Sequence, residues 1–298
     1  MDWVNGIQKA VDYVEEHLTE NIALEEVAAQ ALVSSYHFHR VFSILCGQTL
    51  GEYIRLRRLT LAGIELAENK AKVIDVALKY GYDSPDSFTK AFQKFHGISP
   101  SQARVEGAKL KSFSRLFVKI SLEGGSVMDY KIEKRPEMTI VGKSKLFVGL
   151  PKERFKQQHD FMVNGDTRFI RYALQGLSKD CTTEYAVVSD IEAERYRFTI
   201  GTQIANYYVE HLGETVGNHA EQLAVIKIPA NTYVHMETKR SVFCMEEHVE
   251  LYRRLVEEWL PSSGYILANA PEITIMHSFE NSKNDCYVEL LIPIEKKG

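Results

Sequence analysis

The 298-residue chain lacks most features that would set it apart from ordinary globular proteins. Its four cysteines, Cys46, Cys181, Cys244 and Cys286, stand 135, 63 and 42 residues apart, which provides neither a Cys-x-x-Cys metal knuckle nor a disulfide framework. No apolar run approaches the 18 or more residues of a membrane helix, and Met1-Asp2-Trp3-Val4-Asn5 lacks the basic start and apolar stretch of a signal peptide. A cytoplasmic chain with no membrane partner is the expectation. Neither sign of charge dominates: 36 basic side chains face 40 acidic ones, and division at residue 107 leaves 11 against 14, then 25 against 26. Sequence-independent polyanion binding is disfavoured, although a local basic patch can still face a phosphate backbone. HExxH, GxSxG and P-loop patterns are missing, and Glu246-Glu-His248 and His235-Met-Glu237 lack a partner set for zinc. No metal, cofactor or catalytic residue is expected.

What is present divides in two. From Trp3 to about Gly107 apolar residues recur at steps of three and four (Trp3, Ile7, Ala10, Val11, Val14, Leu18), and about seven helices are predicted. Residues 108–127, rich in Ser and ending in Gly124-Gly125-Ser126, read as a linker, and Lys111 to Ile120 within them alternates well enough to be a strand. Beyond Met128, β-branched and aromatic runs predict strands at 139–141, 185–188, 197–200, 224–226, 233–234, 273–276 and 288–292. Amphipathic stretches at 153–174 and 245–260 predict helices, the second stopping at Pro261. Pro136, Thr139 and Val141 recur as Pro229, Thr232 and Val234, a 93-residue echo that suggests two copies of a small α/β unit.

A sharper repeat lies in the helical half. Arg40-Val-Phe42 followed by Gly47 returns fifty residues later as Lys90-Ala-Phe92 followed by Gly97. Upstream, Val27-Ala28 and Val76-Ala77 begin a helix in each copy. A short turn follows, and a second helix opens after Ser34 or Ser84, with Pro85 at the first helical position. On the second helix Tyr36, His39 and Arg40 share an outward polar face opposite Phe38, Val41 and Phe42; Asp86, Ser87 and Lys90 do the same opposite Phe88, Ala91 and Phe92. A helix that enters a major groove needs this division of faces. Residues 53–68 between the copies predict a helix of about 24 Å, long enough to place two reading helices in successive groove turns about 34 Å apart. Arg55, Arg57 and Arg58 form the one dense basic cluster, open to phosphate contact or to a solvated face.

These elements, with Leu24 to Ala28, Gly47 to Tyr53 and Gly97-Ile-Ser-Pro100, resemble the AraC/XylS-type DNA-binding domain over about a third of the chain. The resemblance implies base contacts by Tyr36, His39, Arg40, Asp86, Ser87 and Lys90, with Arg40 and Lys90 suited to guanine. Asp86 departs from expectation, because phosphates repel it. It either accepts from cytosine N4 or, the preferred reading, stabilises its helix N-terminus.

The remainder resembles the GyrI-like effector-binding domain, the multidrug-sensing module of BmrR-type regulators. The likeness rests on Met128 to Ile132, Pro136 to Gly142, Phe198 to Gly201, Ile228-Pro-Ala230, Glu258 to Gly264 and Val288 to Pro293. Many relatives carry a cleft glutamate in the penultimate strand, where this chain has Thr274. Glu289, a charge inside an apolar run, is the substitute considered, with Tyr233, Trp259, Met276 and Tyr287 as cleft walls; a solvent-facing edge residue is the other reading.

The expectation is an all-α domain of two helix-turn-helix units joined by a long helix (1–107), a linker (108–127) and an α+β domain of two duplicated units around a ligand cleft (128–298). The expected function is a DNA-binding transcription regulator, leaning to activation. It would read two adjacent half-sites on double-stranded DNA, answer to a small lipophilic or cationic effector, and have RNA polymerase as a further partner. The rival readings are a small-molecule sequestering protein and a hydrolase of the same C-terminal fold.

Overall fold

The computed structural model describes residues 3–31, 33, 35–68, 71–118, 127–148, 154–178, 180–192, 195–212, 223–241, 244–277 and 286–297. The chain forms two units, Met1–Glu123 and Gly124–Gly298. No helix among the described residues is long and apolar enough to cross a membrane.

The first unit is helical: α1 (Trp3–Glu16), α2 (Leu24–Gln30), α3 (Ser35–Cys46), α4 (Leu50–Glu68), α5 (Val73–Lys79), α6 (Pro85–His96) and α7 (Pro100–Ala103). Two apolar cores form along it. Ile7, Val11 and Val14 of α1 pack with Val27 of α2, Phe38 and Phe42 of α3 and Tyr53 of α4; Leu59 and Leu66 of α4 pack with Val76 of α5 and Phe88 and Phe92 of α6. Burying each of these large side chains contributes roughly 1.5–3 kcal/mol. The 19 residues of α4, about 28 Å, therefore serve both cores, one at each end.

The fifty-residue repeat has a backbone cause. Gly47 and Gly97 follow α3 and α6 with φ of 66° and 82°, the left-handed conformation that ends a helix and that glycine adopts without penalty. Two residues on, the Thr49 and Ser99 hydroxyls accept from the Glu52 and Gln102 amides and open α4 and α7. Ser84 caps α6 by accepting from the Ser87 amide, with Pro85 just inside. The corresponding Ser34, and Leu32 of that turn, lie outside the described residues. In the second turn Gly81 (φ 78°) is doubly required, because a Cβ there would stand 2.6 Å from Arg58 Nη1.

Residues 111–118, expected as a possible strand within the linker, form no strand. They run extended along the helical unit, with Phe113, Leu116 and Val118 against the first core. Side chains satisfy their amides: Lys111 N–H donates to His96 Nδ1, Phe113 to Thr60 Oγ1, Leu116 to Tyr53 Oη and Val118 to Gln8 Oε1, at 2.8–3.2 Å. Residues 119–126, including the Gly-Gly-Ser signal, lie outside the described residues.

The second unit is an antiparallel sheet with helices. Its elements are β1 (Lys131–Arg135), β2 (Met138–Val148), α8 (Arg154–Val163), α9 (Gly165–Gln175), β3 (Thr183–Ser189), β4 (Arg195–Thr202), α10 (Asn206–Glu210), β5 (Leu223–Ile228), β6 (Asn231–Glu237), α11 (Cys244–Arg254), β7 (Tyr265–Leu267), β8 (Glu272–His277) and β9 (Tyr287–Lys296). A π turn, Leu255–Trp259, and a last turn, Leu260–Ser262, extend α11. The single helix expected at 153–174 is two, because the Asn164 side chain accepts from the Asp166 amide and starts a new helix. The strand order is β1-β6-β9-β8-β3-β4-β2-β5, with β7 on β9. Exchanging β1–β4 with β5, β6, β8 and β9 in sequence reverses this order onto itself. The 93-residue echo is thus the trace of a pseudo-two-fold axis between β3 and β8.

Candidate DNA-reading helices and effector cleft

Among the expected DNA contacts, α3 and α6 differ. On α6, Asp86, Ser87 and Lys90 are all exposed. The Ser87 hydroxyl is engaged locally, donating to the Ser84 carbonyl at 2.9 Å, and Asp86 lies in the first turn, where a carboxylate suits the helix dipole. On α3, Tyr36 and His39 are half-buried, and Arg40 is only 5% exposed, its Nη1 3.4 Å from Tyr36 Oη. The outward face expected for Arg40 is therefore not presented here. Burial also lowers the His39 imidazole below its ordinary pKa.

The basic cluster is spent on the protein itself. Arg57 grips both oxygens of Glu15 at 2.8 Å and donates to the Phe113 carbonyl. Arg58 donates to the Leu18 and Glu20 carbonyls just beyond α1, and Arg55 pairs with Glu52 one turn away. Arg57 and Arg58 thus clamp α4 to α1 and its C-terminal turn.

In the second unit the six expected ligand residues do not meet. Alternation along a strand sends successive side chains to opposite faces. Thr274 and Met276 of β8 face a cleft of about 430 Å³, counted to its open mouth. Tyr233 of β6 and Glu289 of β9 belong to the other face, where Tyr233 is fully buried and its hydroxyl has no hydrogen-bond partner. Tyr287 stacks on His277 at 4.2 Å, and Trp259 stacks on Tyr265 beside Tyr130. Glu289 is neither in the cleft nor solvent-facing. Its carboxylate lies 2.6 Å from His277 Nε2 and 3.0 Å from His235 Nε2, with Arg135 Nη2 at 3.7 Å. Burial would raise its pKa, but the two imidazoles outweigh burial and hold it at about 2.

The cleft lies among α8, α11 and the sheet, with Phe155, Met162, Phe198 and Met276 as apolar walls. Its carboxylate is one that sequence reading missed. Glu272, 3% exposed, shares the face of Thr274 two residues earlier on β8 and is held by Arg154 Nη2 at 2.7 Å and Tyr252 Oη at 3.1 Å. Its counterpart across the pseudo-two-fold axis is Glu184 of β3, gripped through both oxygens by Arg171. The available signal was a glutamate in an apolar strand; its partner, 118 residues away, left none. His248 sits in the same cleft, 3.3 Å from Thr274 Oγ1 through Nε2, with Nδ1 buried and unpartnered; burial pushes its pKa down to about 4.

Comparison with known proteins agrees with both halves. A helix-turn-helix domain family matches residues 27–106, and the integron-associated effector binding protein family matches residues 131–294. The chain is 41% identical over 99 residues to the HTH-type transcriptional activator AarP of Providencia stuartii, which covers 33% of this chain and 73% of that one. It is 35% identical over 98 residues to the regulatory protein SoxS of Salmonella typhimurium, covering 33% and 92%. It is also 36% identical over 104 residues to the HTH-type transcriptional regulator YbfP of Bacillus subtilis, of which the match spans only 35%. The chain therefore belongs to the AraC-type helix-turn-helix transcription regulators and carries a C-terminal domain of the integron-associated effector binding family.

Proposed function

We propose that this regulator reads two adjacent major-groove half-sites through α3 and α6 and is controlled by a small lipophilic molecule, including lipophilic cations, bound in the cleft beside Glu272. The observation that carries the reading is the duplication: two helix-turn-helix units, each followed by a left-handed glycine and each anchoring its second helix by a buried pair of phenylalanines (Phe38 and Phe42, Phe88 and Phe92). Lys90 leads in one half-site, with Asp86 and Ser87 shaping the start of α6. Tyr36, His39 and Arg40 serve the other, and Arg40 has to turn outward on binding. The α4 span of about 28 Å, with the widths of the units added, suits recognition helices one groove turn apart.

An aromatic cation entering the cleft would meet Glu272 by displacing Arg154, exchanging one charge partner for another while its rings take the apolar walls. Occupancy then favours activation, with RNA polymerase as the further partner. The test is selection of bound fragments from randomised duplex DNA at stated salt. Wild type is expected to enrich two half-sites about one turn apart, and Lys90→Ala to lose preference in one half-site only, by roughly 1–3 kcal/mol at the affected base. Absence of enrichment, with or without a panel of lipophilic aromatic cations, would overturn the DNA-reading assignment.

A further inference from the structure

We infer that the second unit holds a divalent transition-metal site made by His235 Nε2, Glu237 and Glu289, on the sheet face opposite the effector cleft. Residues 235 and 237 alternate along β6 onto one face, and β9 pairs Glu237 with Glu289 across the ladder. Sequence alone shows only His235-Met-Glu237, two ligands short of a zinc set; the strand pairing supplies the third. His235 Nε2 stands 3.0 Å from one Glu289 oxygen and 3.3 Å from a Glu237 oxygen. An ion bonded at 2.0–2.2 Å in a tetrahedral site holds its ligand atoms about 3.3–3.6 Å apart, close to the two spacings from Nε2, and all three atoms lie within 4.8 Å of one another.

A second observation points at an ion. His235 is 2% exposed, yet its Nε2 makes no hydrogen bond of acceptable geometry, although two carboxylates flank it. The other ring nitrogen explains why. His235 Nδ1 donates to Glu133 Oε1 at 2.8 Å, which leaves Nε2 aimed between Glu237 and Glu289, where a bound ion takes the place of a proton. A carboxylate behind a histidine is the outer-shell arrangement that fixes the tautomer of a metal ligand. Glu289 has the equivalent support, since His277 holds its remaining oxygen at 2.6 Å.

The charge count fits as well. Glu133, Glu237 and Glu289 face two side-chain cations, Arg135 and Lys131, and the carboxylates flanking His235 favour positive charge at its ring, so an arriving dication displaces a proton there and supplies that charge. One imidazole and two carboxylates form a nitrogen and oxygen set suited to Zn²⁺ or Mn²⁺, and thiolate-selecting ions have no sulfur here. Glu237 is half exposed, so the fourth position opens to solvent on that side.

The test uses the full chain stripped with a chelator and titrated with Zn²⁺ against a chromogenic competitor. Wild type should bind one equivalent. His235→Asn and Glu237→Gln should each lose it, and Glu133→Gln should weaken it by about 10- to 100-fold. Glu237→Gln changes a half-exposed side chain and keeps the fold intact, which a metal-free thermal melt verifies. Co²⁺ in the same site should show weak visible bands without a thiolate charge-transfer band. Failure to bind Zn²⁺, binding that persists in both His235→Asn and Glu237→Gln, or a cobalt–thiolate spectrum would each overturn the site.

Discussion

His248 lies between Phe155 and Thr274 with its imidazole almost wholly removed from water, and burial pushes its pKa to about 4, against about 6.5 in the unfolded chain. Between those values the unfolded chain binds the extra proton. Stability contributed by the neutral ring is therefore complete above about pH 6.5 and declines as pH falls toward 4, by about 3 kcal/mol in all. Urea titrations at pH 7.5 and 4.5 should show this loss, and His248→Gln should reduce it. His39 and His96, both lowered by burial, act in the same direction and leave a remnant. Glu272 gives a second expectation. Arg154→Ala strands a buried carboxylate and should cost about 3–5 kcal/mol, whereas the Arg154→Ala, Glu272→Gln pair should recover much of that loss. A double variant no more stable than the single one would show that the two groups are not coupled.

At the scale of elements, the extended segment 111–118 is held by amide donation to His96, Thr60, Tyr53 and Gln8. Tyr53→Phe removes the acceptor for the Leu116 amide and the donor to Glu15, 2.6 Å away. A loss of about 1–3 kcal/mol is expected, with faster hydrogen exchange at Leu116. The glycines order themselves similarly. Gly97→Ala pays only for its positive φ, about 1–2 kcal/mol, because open space surrounds its Cβ, whereas Gly81→Ala also drives into Arg58 and should cost more in the same melt.

The same elements show what a sequence can and cannot display. The Ser84 cap with Pro85 behind it, the recurrent Gly47 and Gly97 and the seven apolar strand runs were legible because each is a local pattern, whereas the Asn164 cap inside an amphipathic run was not. β1 was not, since Lys-Ile-Glu-Lys-Arg at the sheet edge buries too little to alternate. The segment at 111–118 alternates like a strand because one side is buried, but its hydrogen-bond partners come from positions as far away as Gln8. For the same reason the Glu15 partner of Arg57 and the cleft carboxylate Glu272 went unread: a charged side chain looks alike in sequence whether it meets phosphate, solvent or a carboxylate dozens of residues away.

At the scale of the molecule, each unit buries its own apolar cores, and the second is built from two similar halves. Their strands are not segregated. β1, from the first half, is hydrogen-bonded to β6 of the second, and β5, from the second half, closes the far edge against β2 of the first. Each half thus lends its outermost strand to the other. A chain cut between Leu212 and Leu223 should leave neither half of the second unit able to form its sheet alone, while the helical first unit still folds, and the two fragments should reassemble when co-expressed, as judged by co-purification. The arrangement is that of an arm-exchanged homodimer carried within a single chain.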